Sequence, residues 1–477
     1  MMRKKTDAFH NTLRVAFSQG ISLVSGVIAS ILLPKALTVS NYGMVKIFTL
    51  YIAYTALLHF GFTDGILLRF AGQDYDDLNK KEMRVYLSFF LIIELIIGGL
   101  LMITGLFLNN PDYRFLLLML GIDMIAINLT TYYQFISQAT KRFREYSLKN
   151  LMLSAAKALL VLVLLGLKYT LFPVISYRVY LLCLVTLDVG MLLWYLFLYR
   201  DITFGERDKI SQYKKQIISL FQTGILVTVA YQVSHLVHML DRQFVSLLFS
   251  IEIYGVYAFS YHLITLISTM VSSLSIVMFP MLKRSQKEVL CSHYETVLSG
   301  VSALIGVSLL CYYPLSWFIR WFLPEYTESL QYLKIILPSI LFTGTISVVM
   351  FTFSKILEEN LSFFKNSCIV LVIGFVANLA AYAFFKTPEA ISYASLLTLA
   401  VWFLLEGIHL KRIINGSYYQ AFSYVCLVTV CFLITARLFP KDIYGALSYL
   451  ICYGALTLLC YRKYLGSWVS FFLKKTN

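Results

Sequence analysis

The stretch from Val85 to Leu108 reads VYLSFFLIIELIIGGLLMITGLFL and contains a single charged residue, Glu94. About 20 apolar residues in an α-helix cross the hydrocarbon core of a bilayer, and lipid offers no partner for an unpaired backbone amide. The stretch is therefore predicted to be a transmembrane helix. Thirteen other stretches follow the same pattern, and the fourteen predicted spans cover residues 13–37, 43–68, 85–108, 114–138, 150–167, 173–199, 215–240, 254–281, 296–323, 330–356, 362–385, 389–411, 420–439 and 443–461.

The composition also indicates an all-α membrane protein. Apolar residues make up 59% of the chain and charged residues only 14%, against about 25% in soluble proteins. The net charge of +15 is spread over alternate links between spans instead of forming one patch, so it indicates membrane topology and argues against nucleic acid as a partner. With the basic links inside, both termini are predicted to be cytoplasmic.

A weak internal repeat predicts two lobes. Gln19-Gly20 opens the first span and Gln222-Thr223-Gly224 the seventh, while Tyr42-Gly43 and Tyr254-Gly255 begin the second and eighth. Six helices per repeat place both lobes in the same orientation, related by a pseudo-twofold axis along the membrane normal. Chance matching in apolar sequence is the alternative. The predicted division is an N-lobe of spans 1–6 (1–205), a C-lobe of spans 7–12 (206–412), and spans 13–14 with a cytoplasmic tail (413–477).

The motif residues in two regions of the chain resemble those of the bacterial Wzx-type oligosaccharide flippases. These belong to the multidrug, oligosaccharidyl-lipid and polysaccharide exporter superfamily. The matching residues are Asn11, Gln19-Gly20, Leu33-Pro34-Lys35-Ala36-Leu37, Asn41-Tyr42-Gly43, Tyr51, Tyr54, Gly61-Phe62-x-Asp64-Gly65 and Arg69-Phe70-Ala71-Gly72 in the first half, and Asp241-Arg242 with Tyr254-Gly255-x-Tyr257-Ala258 in the second.

The resemblance implies a flippase of the bacterial cytoplasmic membrane and no enzymatic activity. Such a protein moves a polyprenyl-diphosphate-linked oligosaccharide repeat unit between leaflets by alternating access, for a capsule-like or O-antigen-like polysaccharide. Its partners would be membrane lipid, this lipid-linked oligosaccharide, and a polymerase and glycosyltransferases of the same pathway. Two alternatives remain at this stage: a cation-coupled multidrug exporter of the same superfamily, and a membrane-embedded enzyme that builds an envelope polymer.

Four ionisable residues are predicted at mid-membrane depth on successive spans of the first half. Each costs about 2.5–3.5 kcal/mol at a helix centre, so they should pair with one another, be protonated or face water. They could form a relay that couples transport to the movement of protons or sodium ions. No cofactor is expected. A structural pairing between the lysine and a carboxylate is the alternative. The residues are Glu94, Asp123, Lys157 and Asp188.

A second set of polar residues is predicted around the interface between the lobes. A diphosphate head group needs fixed cations, and an arginine fork matches two phosphate oxygens. Two histidines could bond sugar hydroxyls or titrate, or could be packing residues. The head-group candidates are Lys46, Arg69, Arg242, Lys283, His59 and His262, and the other interface candidates are Asp64 and Asp241.

No residues are assigned a catalytic or metal-binding role. His235, His238 and Asp241 share a spacing of three, but three groups at the end of one helix make a poor metal cage. Tyrosines offer rings and hydroxyls to sugars and could line a saccharide path, and the candidates for this are Tyr51, Tyr54, Tyr132, Tyr133, Tyr257 and Tyr261.

Overall fold

The computed structural model describes residues 20–21, 24–283, 287–414, 416–439, 442–464, 466 and 468. The start of the first predicted span, with Asn11 and Gln19 of the motif, lies outside the described residues. Within the described residues the secondary structure is helical and contains no strand. The predicted all-α fold is confirmed, and each of the fourteen predicted spans coincides with one or more helices.

Eleven helices of the described part are long and apolar enough to cross a membrane. Many of their apolar side chains are exposed, as in Leu95, Ile96 and Leu100, which is the arrangement expected of a surface that contacts lipid. The chain divides into two compact units, unit 1 (Met1–Gln232) and unit 2 (Val233–Asn477). The division into lobes at residues 205 and 412 stays a prediction.

The helices of unit 1 are α1 (Val24–Ala36), α2 (Val39–Thr55), α3 (Phe62–Phe70), α4 (Lys80–Leu106), α5 (Pro111–Ala139), α6 (Phe143–Thr170), α7 (Tyr177–Leu198), α8 (Arg200–Thr203) and the first part of α9 (Lys214–Leu248). Unit 2 contains the rest of α9, α10 (Ile251–Lys283), α11 (Lys287–Val307), α12 (Tyr312–Phe322), α13 (Ser329–Ile336), α14 (Ser339–Thr345), α15 (Phe351–Ile356), α16 (Asn360–Phe385), α17 (Pro388–Ile414), α18 (Tyr419–Leu438) and α19 (Asp442–Tyr461).

Polar residues at the helix starts explain several boundaries. The side chain of Asn79 accepts hydrogen bonds from two backbone amides in the first turn of α4, and Asn110 does the same for α5. Such caps satisfy amides that the helix leaves unpaired. Pro111 occupies the first turn of α5, where a missing amide costs little.

Prolines interrupt two of the predicted spans. Pro338 lies between α13 and α14, and Pro314 follows a 3₁₀ segment, Ser308–Cys311, that separates α11 from α12. A proline inside a helix removes a hydrogen bond and clashes with the preceding turn, so the helix ends or bends there.

The core of unit 1 is aromatic. Phe62 of α3 stacks on Phe90 of α4 with 5.1 Å between ring centroids, and Tyr133 of α5 stacks on Tyr195 and Tyr199. Tyr132 and Tyr133 are fully buried in this core. They pack in the core of unit 1 in this structure, whereas a place on a saccharide path stays a prediction.

Candidate functional site

The second predicted span is broken into α2 and α3. Residues 56–61 form turns, and both Phe60 and Gly61 have positive φ angles, of 49° and 81°. Only glycine adopts this left-handed region without strain, so Gly61 permits the chain to restart as α3. The break separates Lys46 on α2 from Asp64 and Arg69 on α3.

His59 lies within this break and is buried. Its Nδ1 atom accepts a hydrogen bond from the backbone N–H of Gly61 at 3.1 Å and lies 3.4 Å from the hydroxyl of Thr63. The ring therefore organises the turn before α3. These contacts fit the packing alternative for His59, whereas its role toward a sugar stays a prediction.

The start of α3 rests against α9 within unit 1. A Cβ atom added to Gly65 would meet the backbone of Leu220, and one added to Gly224 would meet the carbonyl of Gly61. Asp64 strengthens the same contact, because the hydroxyl of Thr228 donates a hydrogen bond to its carboxylate at 2.5 Å. The two helices are thus joined backbone to backbone, as the Gly61-x-x-x-Gly65 spacing predicts.

The two predicted head-group cations of unit 1 differ in their surroundings. The ammonium of Lys46 lies 5.0 Å from the centre of the Tyr42 ring. Arg69, in the last turn of α3, forms an ion pair with Glu82 at 3.0 Å, and its guanidinium lies over Phe70 and Tyr86. Arg69 is therefore already paired with a carboxylate.

Three of the four predicted relay residues come together in unit 1. Lys157 on α6 forms an ion pair of 3.4 Å with Asp188 on α7, and Asp123 on α5 interacts electrostatically with both. Lys149 joins them, because it is buried and interacts with Asp188 and Lys157. The sequence had placed Lys149 in a link, so the cluster contains two lysines instead of one.

Glu94 lies apart from this cluster. It is fully buried on α4, and its Oε2 accepts a hydrogen bond of 2.9 Å from the amide of Asn128 on α5. The same amide nitrogen lies 3.4 Å from the carbonyl of Thr55, at the end of α2. Glu94 and Asn128 thus connect α4, α5 and the point at which the second span breaks. Asn128 was missed because an uncharged residue gives no signal in an apolar sequence.

Asp241 and Arg242 lie inside a helix of unit 2. The sequence placed them after the seventh span, but α9 continues to Leu248. Asp241 is buried, and its carboxylate accepts hydrogen bonds from the hydroxyls of Tyr257, at 2.9 Å, and Tyr261. Its other oxygen accepts the backbone N–H of Arg242 at 2.7 Å.

The guanidinium of Arg242 forms no ion pair with a described carboxylate, although the neighbouring Asp241 attracts it electrostatically. It donates a hydrogen bond to the carbonyl of His238 at 2.9 Å and lies 4.7 Å from the ring centre of Tyr261. Its Nε is buried and unpaired, and no carboxylate of the described residues lies within ion-pairing distance. Such a group has hydrogen-bond capacity left for an anion.

The remaining candidates do not gather around one point. His262 is half-buried on α10, and Lys283 is exposed in the last turn of the same helix. His238 packs against the ring of Trp402 at 5.3 Å. Among the described residues, no group of three His, Cys, Asp or Glu is arranged to hold a metal ion. Glu406, on α17, is fully buried near Asn366 and Trp402.

No protein-family model matches the sequence, and no curated protein does either. Solved structures do match. The chain is similar to the lipid II flippase MurJ in an inward closed conformation, with a TM-score of 0.68 over 95% of this chain and 99% of that one. It is also similar to a mutant of the Vibrio cholerae MATE transporter VcmN, with a TM-score of 0.55 over 85% of this chain and 96% of that one. The chain has the fold of MurJ and VcmN.

Sequence identity to both proteins is 14%, so the likeness establishes the fold and nothing finer. The fold agrees with the fold that the motif resemblance implies. The narrower resemblance to Wzx-type flippases stays a prediction.

Proposed function

We propose that the protein translocates a polyprenyl-diphosphate-linked oligosaccharide across the bacterial cytoplasmic membrane by alternating access. The observation that carries the proposal is the half-buried side chain of Arg242, which forms no ion pair with any carboxylate of the described residues and keeps a buried, unpaired Nε beside Asp241. A partly buried cation that lacks an ion pair is costly in a membrane protein and is a functional-site candidate. A phosphate group supplies the missing charge and accepts two parallel hydrogen bonds from the fork.

The surroundings of Arg242 favour a large anionic substrate over a cationic one. Tyr261 lies against the guanidinium, and its hydroxyl is held by Asp241. The tyrosine ring is thereby fixed beside the cation, where it offers a face for a sugar next to the phosphate. The fold shared with a lipid II flippase over nearly the whole chain supports a lipid-linked substrate.

In this mechanism the head group binds to cations inside the protein while the polyprenyl tail stays in lipid. Lys46 and Arg69 are the candidate cations of unit 1, and Arg69 also forms an ion pair with Glu82. No covalent step is needed. The inward-open and outward-open states bind the head group with different affinities, and this difference favours its release on the other side of the membrane.

A cation-coupled exporter is a second candidate function, and the cluster of Asp123, Asp188, Lys149 and Lys157 favours it. Carboxylates within membrane helices commonly carry protons or cations in transporters. The fold shared with VcmN supports this candidate equally. The cluster also suits a flippase that is driven by a proton or sodium gradient.

The function is tested with purified protein in vesicles. The substrate is a fluorescent polyprenyl-diphosphate oligosaccharide, and its transfer is followed by the access of an external glycosidase. We expect faster transfer than in protein-free vesicles, and no acceleration of a fluorescent phosphatidylcholine. Transport of a cationic dye under an imposed pH or sodium gradient, without transfer of the oligosaccharide, would favour the exporter and contradict the proposal.

A further inference from the structure

Unit 2 contains a cavity of about 230 Å³ at one end of α12, α13, α18 and α19. Three cations and one carboxylate contribute to its walls: Arg320, Lys334, Arg437 and Asp442. Arg242 and its tyrosines do not line the cavity, although Tyr257 packs on Tyr332, the neighbour of the lining residue Gln331, with 5.3 Å between ring centroids. Nothing in the proposed translocation uses it.

The positive charge of the cavity is only partly compensated. Arg320 forms an ion pair with Asp442 at 2.8 Å. Lys334 and Arg437 have neither an ion pair nor a side-chain hydrogen bond with any residue that the structure describes. Lys334 and Arg437 therefore line a cavity whose one carboxylate, Asp442, is already paired with Arg320.

The rest of the lining is fixed and polar enough to hold an oxyanion. Tyr312 and Tyr313 are buried, and the hydroxyl of Tyr313 shares a hydrogen bond with Thr435 at 3.2 Å. Gln331 adds an amide at the rim. A wall that is already ordered loses little side-chain entropy when a ligand binds.

Two tryptophans mark the depth of the cavity in the membrane. Trp317 and Trp321 lie on α12, the helix that carries Arg320, and are 62% and 68% exposed. Their rings stack with 5.8 Å between centroids. Exposed tryptophans of membrane helices concentrate at the level of the lipid head groups. The cavity therefore opens where lipid phosphates are the abundant anions.

We propose that this cavity binds the phosphate of an anionic lipid head group, with Lys334 and Arg437 as its principal ligands. Bulk anionic phospholipid and the polyprenyl diphosphate of the proposed substrate share this phosphate chemistry, and they are distinguished by competition. The proposal does not rest on the proposed function, because it is tested by binding without transport.

The test uses the tryptophans beside the cavity as reporters. Protein in phosphatidylcholine vesicles is titrated with brominated phosphatidylglycerol or with brominated phosphatidylcholine of the same acyl chains, which quench tryptophan fluorescence on contact. The signal of a Trp317→Phe/Trp321→Phe variant is subtracted to isolate the local contribution. Each membrane-surface cation adds roughly fivefold to the binding of an anionic lipid, so we expect a preference of at least about tenfold for phosphatidylglycerol.

The preference should fall to about onefold in Lys334→Gln/Arg437→Gln and should persist in Lys411→Gln/Arg412→Gln, which removes the same charge from exposed residues at the end of α17. Equal quenching by the two lipids in the wild-type protein would overturn the proposal. So would an unchanged preference in the first variant or an equal loss in the second. Relief of quenching by unlabelled undecaprenyl diphosphate at a lower mole fraction than unlabelled phosphatidylglycerol identifies the diphosphate as the occupant, and the reverse order identifies bulk lipid.

Discussion

One buried aspartate in each unit shows a different way of accommodating a buried carboxylate. In unit 1, Asp188 is neutralised by a lysine ion pair with Lys157, and a second lysine lies nearby. In unit 2, Asp241 is held by neutral tyrosine hydroxyls and a backbone amide, while the side chain of Arg242 turns away from it. The comparison teaches that an acid satisfied by neutral donors leaves a neighbouring cation available for a ligand.

The units also differ in how tightly their backbones approach. In unit 1, glycines bring α3 against α9 so closely that an added Cβ at Gly224 would meet a backbone carbonyl. In unit 2, an added Cβ at Gly374 would meet side-chain atoms, at 2.9 Å from Thr398 Cγ2 and 3.2 Å from Leu240 Cδ2. Side-chain ends can shift, whereas a backbone contact cannot yield without moving a helix.

The largest expected effect is therefore the difference between two alanine variants. Gly224→Ala should destabilise the protein by more than about 3 kcal/mol, and Gly374→Ala by about 1 kcal/mol. Both glycines are inside helices, so the alanine substitution improves helix propensity by the same amount at each position. This contribution cancels when the two variants are compared. Thermal unfolding in detergent, followed by fluorescence and size exclusion, measures the difference. Equal melting temperatures for the two variants would show that the backbone contact of unit 1 is not special.

The next effect concerns the ion pair of unit 1. Lys157→Met leaves Asp188 without its partner and should cost about 2 kcal/mol, less than the 3–5 kcal/mol of a fully buried pair because Lys157 is partly exposed. The variant should lose several degrees in melting temperature. Asp188→Asn in the Lys157→Met background should restore most of the loss, since the charge is then removed. A double variant as unstable as Lys157→Met alone would show that the pair is not what stabilises unit 1.

The corresponding change in unit 2 should be smaller. Tyr257→Phe removes one of several donors to Asp241, and a hydrogen bond to a charged group contributes about 1.5–3 kcal/mol, so a loss near the lower limit is expected. Asp241→Asn in the Tyr257→Phe background should recover stability, because an amide demands less from its partners. Together with the wild type and the Asp241→Asn single variant, these variants form a double-mutant cycle in melting temperature. Additive losses would mean that the hydroxyl and the carboxylate do not act as a pair.

The smallest effect lies outside the spans of unit 1. Burial raises the pKa of Asp201, but the hydrogen bond from Tyr75 and the charge of Lys80 outweigh it, so the pKa is lowered overall. A lowered pKa means that the carboxylate stabilises the folded state above its unfolded pKa, about 3.9, and that this contribution is lost as pH falls through the lower folded value. Exposed pairs contribute below about 1 kcal/mol.

Hydrogen exchange of residues 200–206, corrected for its intrinsic pH dependence, measures this effect. The wild-type segment should exchange faster at pH 3 than at pH 6, while Asp201→Asn should show the faster exchange at both values. A corrected exchange rate that is the same at pH 3 and pH 6 in the wild-type protein would show that the charge of Asp201 does not stabilise this segment.

The sequence was sufficient for the helical membrane fold but not for these differences. Apolar runs of span length can only be helices in lipid, so all fourteen stretches were found. The break at residues 56–61 was missed, because Gly61 alone signals it and Phe60 does not. The end of the seventh span was placed too early, because Asp241 and Arg242 look like a solvated boundary unless the tyrosines of α10 are known to cover them.

The partners of the buried charges also could not be predicted from the sequence, because they lie on other helices. Lys149 was assigned to a link, and only the packing of α6 against α7 brings it near Asp188. Glu94 was expected with the other acids, but its Oε2 accepts a hydrogen bond from Asn128 of the adjacent helix, while its Oε1 has no hydrogen-bond partner. The position of a charged residue within an apolar stretch predicts its depth in the membrane. Its partner depends on which helices pack together.

The central claim is that the Arg242 guanidinium binds the diphosphate during translocation. It is tested most directly by the transfer rate of the polyprenyl-diphosphate oligosaccharide in vesicles containing equal amounts of wild-type protein, Arg242→Gln, Arg242→Lys or the matched control Arg412→Gln. A charge-assisted hydrogen bond is worth about 1.5–3 kcal/mol, so we predict that Arg242→Gln transfers about ten- to a hundredfold more slowly, Arg242→Lys is intermediate, and Arg412→Gln is unchanged. An Arg242→Gln protein that transfers the substrate at the wild-type rate would contradict the claim.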